Sequence, residues 1–471
     1  MTRRRALGLW VLAGAGALAG CTRVPDPTAH SVTTNGVPPT TLTRTHEPVP
    51  AIVHGPGAVD LGLKWNTYLT PLLTYAAALG SGMTFTEVEW CAVRDLPGEE
   101  QFAATDRALT QASSYGFQVM IKLRVGNCSG TPAPIDPEDG TPKQPSTAPD
   151  DPGRYRDWVT AMVRRYLPRG VRTWAVENEV DAANFWSGTP QEYADTVHLV
   201  AAAIRAVDPG AVVLDAGISS TGYGVAIAGE LLDAGRAEEA LAAYTAYFAR
   251  RHEGGISRFP QVTSVAGLRD VLADPRVVRV REMVAATWAV VNGGAVGAYQ
   301  LHFYEDPAVL PQVLRYVDSH LAAPIPVSAW EIGTAWPGPS YDEDRHARDV
   351  VRLVGTLLAR RVCPVVYLPL AFTPRPGKAP VFRGLVSPDG RTLPAGAAFA
   401  RIAAAAKASA AVLPVMVGTG GRGSILVGTT TSLGLLWDAD GEPRLLDLPG
   451  GRDAALLAAS DSLGKTVSLA G

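Results

Sequence analysis

The sequence predicts an α/β chain made of a (β/α)8 TIM barrel with a small C-terminal β-domain. The middle of the chain alternates strand-like apolar runs with helical stretches, the pattern that builds parallel βαβ units, and eight such runs can be counted. The runs are close to continuously apolar, as expected where helices cover both faces of a parallel sheet. Beyond residue 408 the pattern changes to short alternating strands with Gly-rich turns. An open doubly wound sheet is the weaker alternative.

Residues 1–20 read as an export signal. Arg3, Arg4 and Arg5 precede an apolar run over 6–19, and small residues lead to Cys21 in the string LAGC. At about 14 residues the run is too short to span a membrane as a helix. Residues 21–50 are rich in Thr and Pro with almost no apolar periodicity, so they read as a disordered tether. The barrel is expected over 51–407, with strands at 59–66, 83–90, 117–125, 173–179, 211–217, 296–304, 325–333 and 364–372. Helices over 101–115, 154–166, 190–207 and 343–361 show apolar residues three and four apart with charges between them.

Two segments exceed a minimal barrel. The stretch 131–152, full of Pro, Asp and Gly, reads as a long loop after strand three. Roughly 80 residues separate strands five and six, with helical runs over 229–252 and 277–292. Loops after the strands carry the site in this fold, so these insertions are expected to shape the cleft. The domain over 408–471 reads as a structural β-appendage packed on the barrel, with a carbohydrate-binding module as the alternative.

Composition narrows the partners. The formal charge of −3 becomes −6 without the three signal arginines, since 39 basic residues then face 45 acidic ones. No basic patch argues for nucleic acid. The cysteines and the eight histidines show no metal-ligand spacing, so neither a metal nor a cofactor is expected. Cys91 and Cys128 follow the strand-like strings FTEVEW and FQVMIKLRV and should lie at the same end of neighbouring strands. A Cys91–Cys128 disulfide is favoured over two free thiols, and Cys363 reads as a core residue.

The chemistry concentrates in two strings about 150 residues apart: TWAVENEVD, with Asn178 and Glu179, and IPVSAWEIGTAW, with Glu331. Each places a carboxylate at the end of an apolar run, hence at the barrel mouth. A glycosidic bond breaks through an oxocarbenium-like transition state, which calls for one protonated and one ionised carboxyl group facing each other.

With these residues in place, the barrel resembles clan A of the glycoside hydrolases, whose catalytic glutamates end strands four and seven. Glycoside hydrolase family 39 and the cellulase-like families are both conceivable. The resemblance implies a retaining mechanism in which Glu179 is the acid/base, Asn178 contacts the sugar 2-hydroxyl and Glu331 is the nucleophile. In the string LHFYED it implies that Tyr304 hydrogen-bonds the nucleophile and that His302 lies close by. The clan commonly places a tryptophan on strand eight under the substrate; Tyr367 is the nearest candidate in this chain. The string ending at Cys21 resembles the lipobox of bacterial lipoproteins, which implies lipidation of that cysteine and a place on the outer face of the cytoplasmic membrane or in the periplasm or cell wall.

Other side chains rank below these. Trp65 and Asn66 at the end of strand one, Trp90 at the end of strand two and Trp336 beyond Glu331 are candidates to stack on or hydrogen-bond sugar rings. Lys122 and Arg124 alternate on strand three, where a salt bridge to Glu177 or a substrate carboxylate would satisfy them. Glu177 reads as structural, on the same strand face as Glu179 and one layer deeper. The expectation is therefore a monomeric, lipid-anchored hydrolase of a polysaccharide or glycoconjugate. The contrasting expectation is a non-catalytic carbohydrate- or solute-binding lipoprotein on a degenerate barrel.

Overall fold

A computed structural model describes residues 60–64, 72–129, 144–255, 257–334, 341–371, 383–417, 421–437 and 443–449, with short strands at 42–43, 52–53, 459–461 and 466–467. Eight parallel strands form the expected barrel: β1 (Leu61–Leu63), β2 (Met83–Glu89), β3 (Gln118–Arg124), β4 (Thr173–Val176), β5 (Val212–Leu214), β6 (Tyr299–Phe303), β7 (Val327–Ile332) and β8 (Val365–Tyr367). They are hydrogen-bonded in the order β5-β4-β3-β2-β1-β8-β7-β6. Parallel bridges Leu214–Ala298 and Ile218–Leu301 bring the end strands together.

The near-continuous apolar runs now have an explanation. One face of the strands fills the barrel with Met83, Phe85, Met120, Ala175, Leu214, Ala298, Trp330 and Val366. The other face, including Ile121, Leu123, Trp174, Val213 and Leu301, packs against the helices. The interior is a plug, not a pore. Along the same inward faces Phe85 is followed by Glu87, Met120 by Lys122, and Ala298 by Gln300 and His302, so the lining turns polar towards the C-terminal ends.

The crossover helices Pro152–Tyr166, Pro190–Val207 and Glu343–Ala359 lie close to their predicted spans. Pro190 starts its helix, and Thr189 and Glu192 cap it reciprocally. The insertion between β5 and β6 differs from expectation. Its first helical run is two helices, Ser220–Asp233 and Ala237–Glu253, separated near Gly235, whose φ of +77° is incompatible with an α-helix. A further helix, Val265–Ala273, precedes Pro275–Asn292, with Asp274 ending the first and capping the second.

Antiparallel strands β9 (Ser409–Val417), β10 (Gly421–Gly428), β11 (Thr431–Trp437) and β12 (Pro443–Pro449) form a second sheet. Leu42–Thr43, inside the stretch read as a tether, and Ile52–Val53 both pair with β9. Helix Glu343–Ala359 lies against this sheet. A Cβ on Gly355 would come within 2.7 Å of the Trp437 ring, so helix and sheet are in direct contact. Arg401 and Asp447 form an ion pair between the last barrel helix and β12. Cys91 and Cys128 form a disulfide that joins the segments after β2 and β3, with Cα atoms 4.9 Å apart, and Cys363 is a buried thiol outside that disulfide. Among the described residues, no helix is long and apolar enough to cross a membrane.

Trp437 is buried where the sheet meets helix Glu343–Ala359. Trp437→Ala should cost about 3 kcal/mol by loss of buried aromatic contact, read as a lower denaturant midpoint of the whole chain by circular dichroism. A barrel that unfolds at its original midpoint would mean that the sheet is an independent unit.

Candidate active site

Strand β4 ends at Val176, earlier than the sequence pattern suggests. Glu177 and Glu179 have φ of +65° and +39°, a region that non-glycine residues occupy at a cost of about 1–3 kcal/mol each. The strained turn is pinned: Glu177 N donates to Leu123 O at 3.0 Å, and Glu179 N donates to Ala216 O at 2.9 Å. Glu177 is therefore not simply one layer below Glu179 on a common strand face. It is buried against β3, accepting from Val125 N at 2.6 Å and facing Arg124 Nε at 3.7 Å. Asn178, between the two glutamates, reaches Lys122.

Glu331 arrives by a different device. Gln300 is in register with Ser328, and His302 with Glu331, so β7 advances three residues while β6 advances two. The same mismatch appears against β8, where Val365 and Tyr367 pair with Ala329 and Ile332. Strict alternation would place Glu331 with Ala329 on the helix side. The bulge turns it into the mouth beside His302, while Trp330 stays in the barrel interior.

The groups so presented form one cluster. One atom each from Glu179, His302 and Glu331 lies within 4.8 Å of the others. His302 Nδ1 is 2.9 Å from Glu179 Oε1 and 3.9 Å from Glu331 Oε2. Tyr304 Oη donates to Glu331 Oε2 at 3.0 Å. The fully buried Lys122 ammonium donates to Glu331 Oε1 and, at 2.5 Å, to Asn178 Oδ1, and it sits 4.6 Å from the centre of the Phe85 ring. A trio this close could share a metal cation, but the ammonium already provides the positive charge beside Glu331. Space behind the cluster comes from Gly217, at φ +72°: a Cβ there would lie 2.7 Å from His302 Nε2.

Electrostatics divides the carboxyl groups. Burial acts to raise the Glu331 carboxyl, but Lys122, His302 and the Tyr304 hydroxyl outweigh it and hold it well below the usual carboxylate range. Burial, with Glu331 and Glu179 nearby, pushes the Tyr304 hydroxyl well up, so it remains a donor. Glu177 is raised to about 7 and Asp181 and Asp215 to about 6, in each case by burial that exceeds the help of their partners. Asp181 accepts from Ser219 N and Oγ, which joins the turn after β4 to the N-terminus of helix Ser220–Asp233. An open pocket beside Glu179 and Tyr304 is lined by Ser219, Thr221, Asn184 and Arg258, so the insertion after β5 does border the cleft.

Several expectations fail. Trp90 is in the outer core, its ring centroid 5.1 Å from that of Tyr155, because it begins a short helix that turns it towards helix Pro152–Tyr166. Tyr367 also faces outward: its hydroxyl lies 2.7 Å from His346 Nε2 and 3.2 Å from Thr334 Oγ1, and its ring packs towards Phe399. Neither reaches the mouth. Arg124 does pair with Glu177 and more closely with Glu89, at 2.7 Å, but Lys122 pairs with Glu331 instead. Trp65, Asn66, Trp336 and Cys21 lie outside the described residues. Lys122 is the important residue to which sequence reasoning gave the wrong partner. Its alternation with Arg124 was visible, but its contacts on β4 and β7 were not.

Neither a protein-family model nor a curated protein matches the sequence. Solved structures do. A glucosidase from Croceicoccus marinus superposes with a TM-score of 0.52 at 12% identity, covering 91% of this chain and 83% of its own. A family 39 glycoside hydrolase from Bacteroides cellulosilyticus WH2 gives 0.48 at 14%, covering 84% and 71%, and a family 39 β-xylosidase from Caulobacter crescentus gives 0.49 at 15%, covering 80% and 76%. The likeness to the glucosidase carries the barrel fold.

The buried acids set a pH dependence. Glu177, Asp181 and Asp215 titrate higher in the folded chain than in the unfolded one, so their stabilisation is complete below pH ~4 and is lost as pH rises through about 6 to about 7. Melting temperature should therefore fall between pH 5 and pH 8, and Glu177→Gln should flatten part of that fall. An unchanged slope in the variant would show that Glu177 ionises without penalty.

Proposed function

We propose that the chain is a retaining glycoside hydrolase of the clan A type, acting on a polysaccharide or glycoconjugate by double displacement. The observation that carries this reading is the approach of Glu179 and Glu331 across the mouth, with oxygens within 4.8 Å. Inverting enzymes keep their carboxyl groups about 6.5–9.5 Å apart to admit a water, whereas retaining enzymes bring them to about 5–5.5 Å so that one can touch the anomeric carbon.

The roles follow from the surroundings. Glu331, held ionised, attacks the anomeric carbon while Glu179 gives its proton to the glycosidic oxygen, and the leaving group departs as an alcohol. Glu179, now a carboxylate, takes a proton from water, which attacks the same carbon and releases Glu331. His302 fixes the Glu179 carboxyl from 2.9 Å, and Tyr304 orients Glu331. Because Asn178 Oδ1 is taken by Lys122, its Nδ2 is left to donate to a sugar 2-hydroxyl. We also propose lipidation at Cys21 and extracytoplasmic anchoring, supported by the residues before it.

Glu331→Ala should abolish turnover of every substrate by several orders of magnitude. Glu179→Ala should retain far more activity on aryl glycosides whose leaving groups need no protonation, and azide should speed it and give a glycosyl azide of retained configuration by NMR. If azide rescues only Glu331→Ala, with inversion, the two roles are exchanged. A native protein that binds oligosaccharides but hydrolyses none of a panel of aryl glycosides and cell-wall polysaccharides would be a binding protein. Cys21→Ser should move the protein from the membrane to the soluble fraction; retention with membranes would refute the anchor.

A further inference from the structure

The cluster contains a cation that the two-carboxylate reaction does not itself require. Lys122 is wholly buried on β3, and its ammonium bridges Asn178 on the turn after β4 and Glu331 on β7. A lysine buried without compensation would shed its charge, and a carboxylate buried without compensation would take up a proton. Each cancels the other's cost. It also sits over the face of Phe85, which suits a cation and which it shares with the Lys64 ammonium, 4.7 Å from the same ring centre.

Resting on the hydrolase reading, we propose that Lys122 is a positioning residue that locks the nucleophile and the 2-hydroxyl ligand into one unit. Its bond to Glu331 Oε1 and the Tyr304 bond to Oε2 fix the plane of the carboxylate from two sides. Its bond to Asn178 Oδ1 fixes which end of the amide faces the sugar. The arrangement couples attack at the anomeric carbon to recognition of the neighbouring hydroxyl, because one ammonium orients both partners. The titratable groups around Glu331 include Lys122 from β3, His302 from β6, the neutral Tyr304 after β6, Glu179 after β4, and Lys64 after β1, itself influenced by Glu87 on β2. Lys64 donates to Phe85 O at 2.9 Å, and its charge is favoured by Glu87 and Glu331 and opposed by Lys122.

The test is Lys122→Met in the full chain, with Glu331 ionisation followed by NMR of 13C-labelled glutamate carboxyls and with the pH profile of kcat/KM. The Glu331 midpoint should rise by about one to three pH units, and the acid limb of the profile should rise with it. Preference for a 2-hydroxy over a 2-deoxy aryl glycoside should fall to the value seen in Asn178→Ala, with the loss in kcat rather than KM. An unmoved midpoint overturns the proposal whatever the activity. If Lys122→Met does not fold, the same change is made on Glu331→Gln, where no carboxylate remains to be neutralised. Melting temperature there should hold or rise; a large fall would mean that Lys122 is only core packing, and the proposal fails. Failure of the hydrolase reading looks different: a 2-deoxy-2-fluoro glycoside would not label Glu331 in the native protein, although Lys122→Met still moved the carboxyl midpoint.

Discussion

The ion pair between Lys122 and Glu331 is the constraint around which the barrel mouth is organised. Removing two charges from water costs several kcal/mol per ion, and their attraction repays this only with good geometry and further hydrogen bonds. Here the geometry comes from three strands and the further bonds from Asn178 and Tyr304. The apolar plug below, with Phe85 and Met120 on adjacent strands, keeps water from the underside. A low-polarity floor strengthens every interaction above it.

Backbone strain and register do the remaining placement. Two glutamates with positive φ after β4 and one extra residue in β7 are departures from regular structure, and both occur where a carboxylate must face the mouth. Elsewhere the barrel is regular: β2 and β3 pair over seven successive residues without a shift. Gly217 completes the arrangement by leaving room for the His302 imidazole.

The extent to which this was legible in the sequence follows from the same physics. Strand existence was readable because each run is apolar on both faces, and that very feature hid which way each side chain points. Trp90 and Tyr367 were misjudged for this reason: both are aromatic, both sit at strand ends, and both face the helices. Glu179 and Glu331 were readable as motif residues, but the means of aiming them were not, since Glu177 and Glu179 give no glycine signal for their φ and the β7 bulge leaves no mark in WEIG. Lys122 could be seen to alternate with Arg124. Its partner lies 209 positions away, a distance no local pattern bridges.

The β7 bulge also bears on how such a chain can change over time. Connections between barrel elements can gain or lose many residues, as the helices inserted between β5 and β6 illustrate. The interval from Ser328 to Glu331 has no such freedom. Deleting one residue there would remove the bulge and keep Glu331 on the face of His302, two positions after Ser328, but it would leave no place for both Ala329 in the helical layer and Trp330 in the barrel plug. Length variation in this lineage should therefore be abundant at the rim and forbidden in a three-residue window of one strand, an indel signature carried by spacing rather than by residue identity.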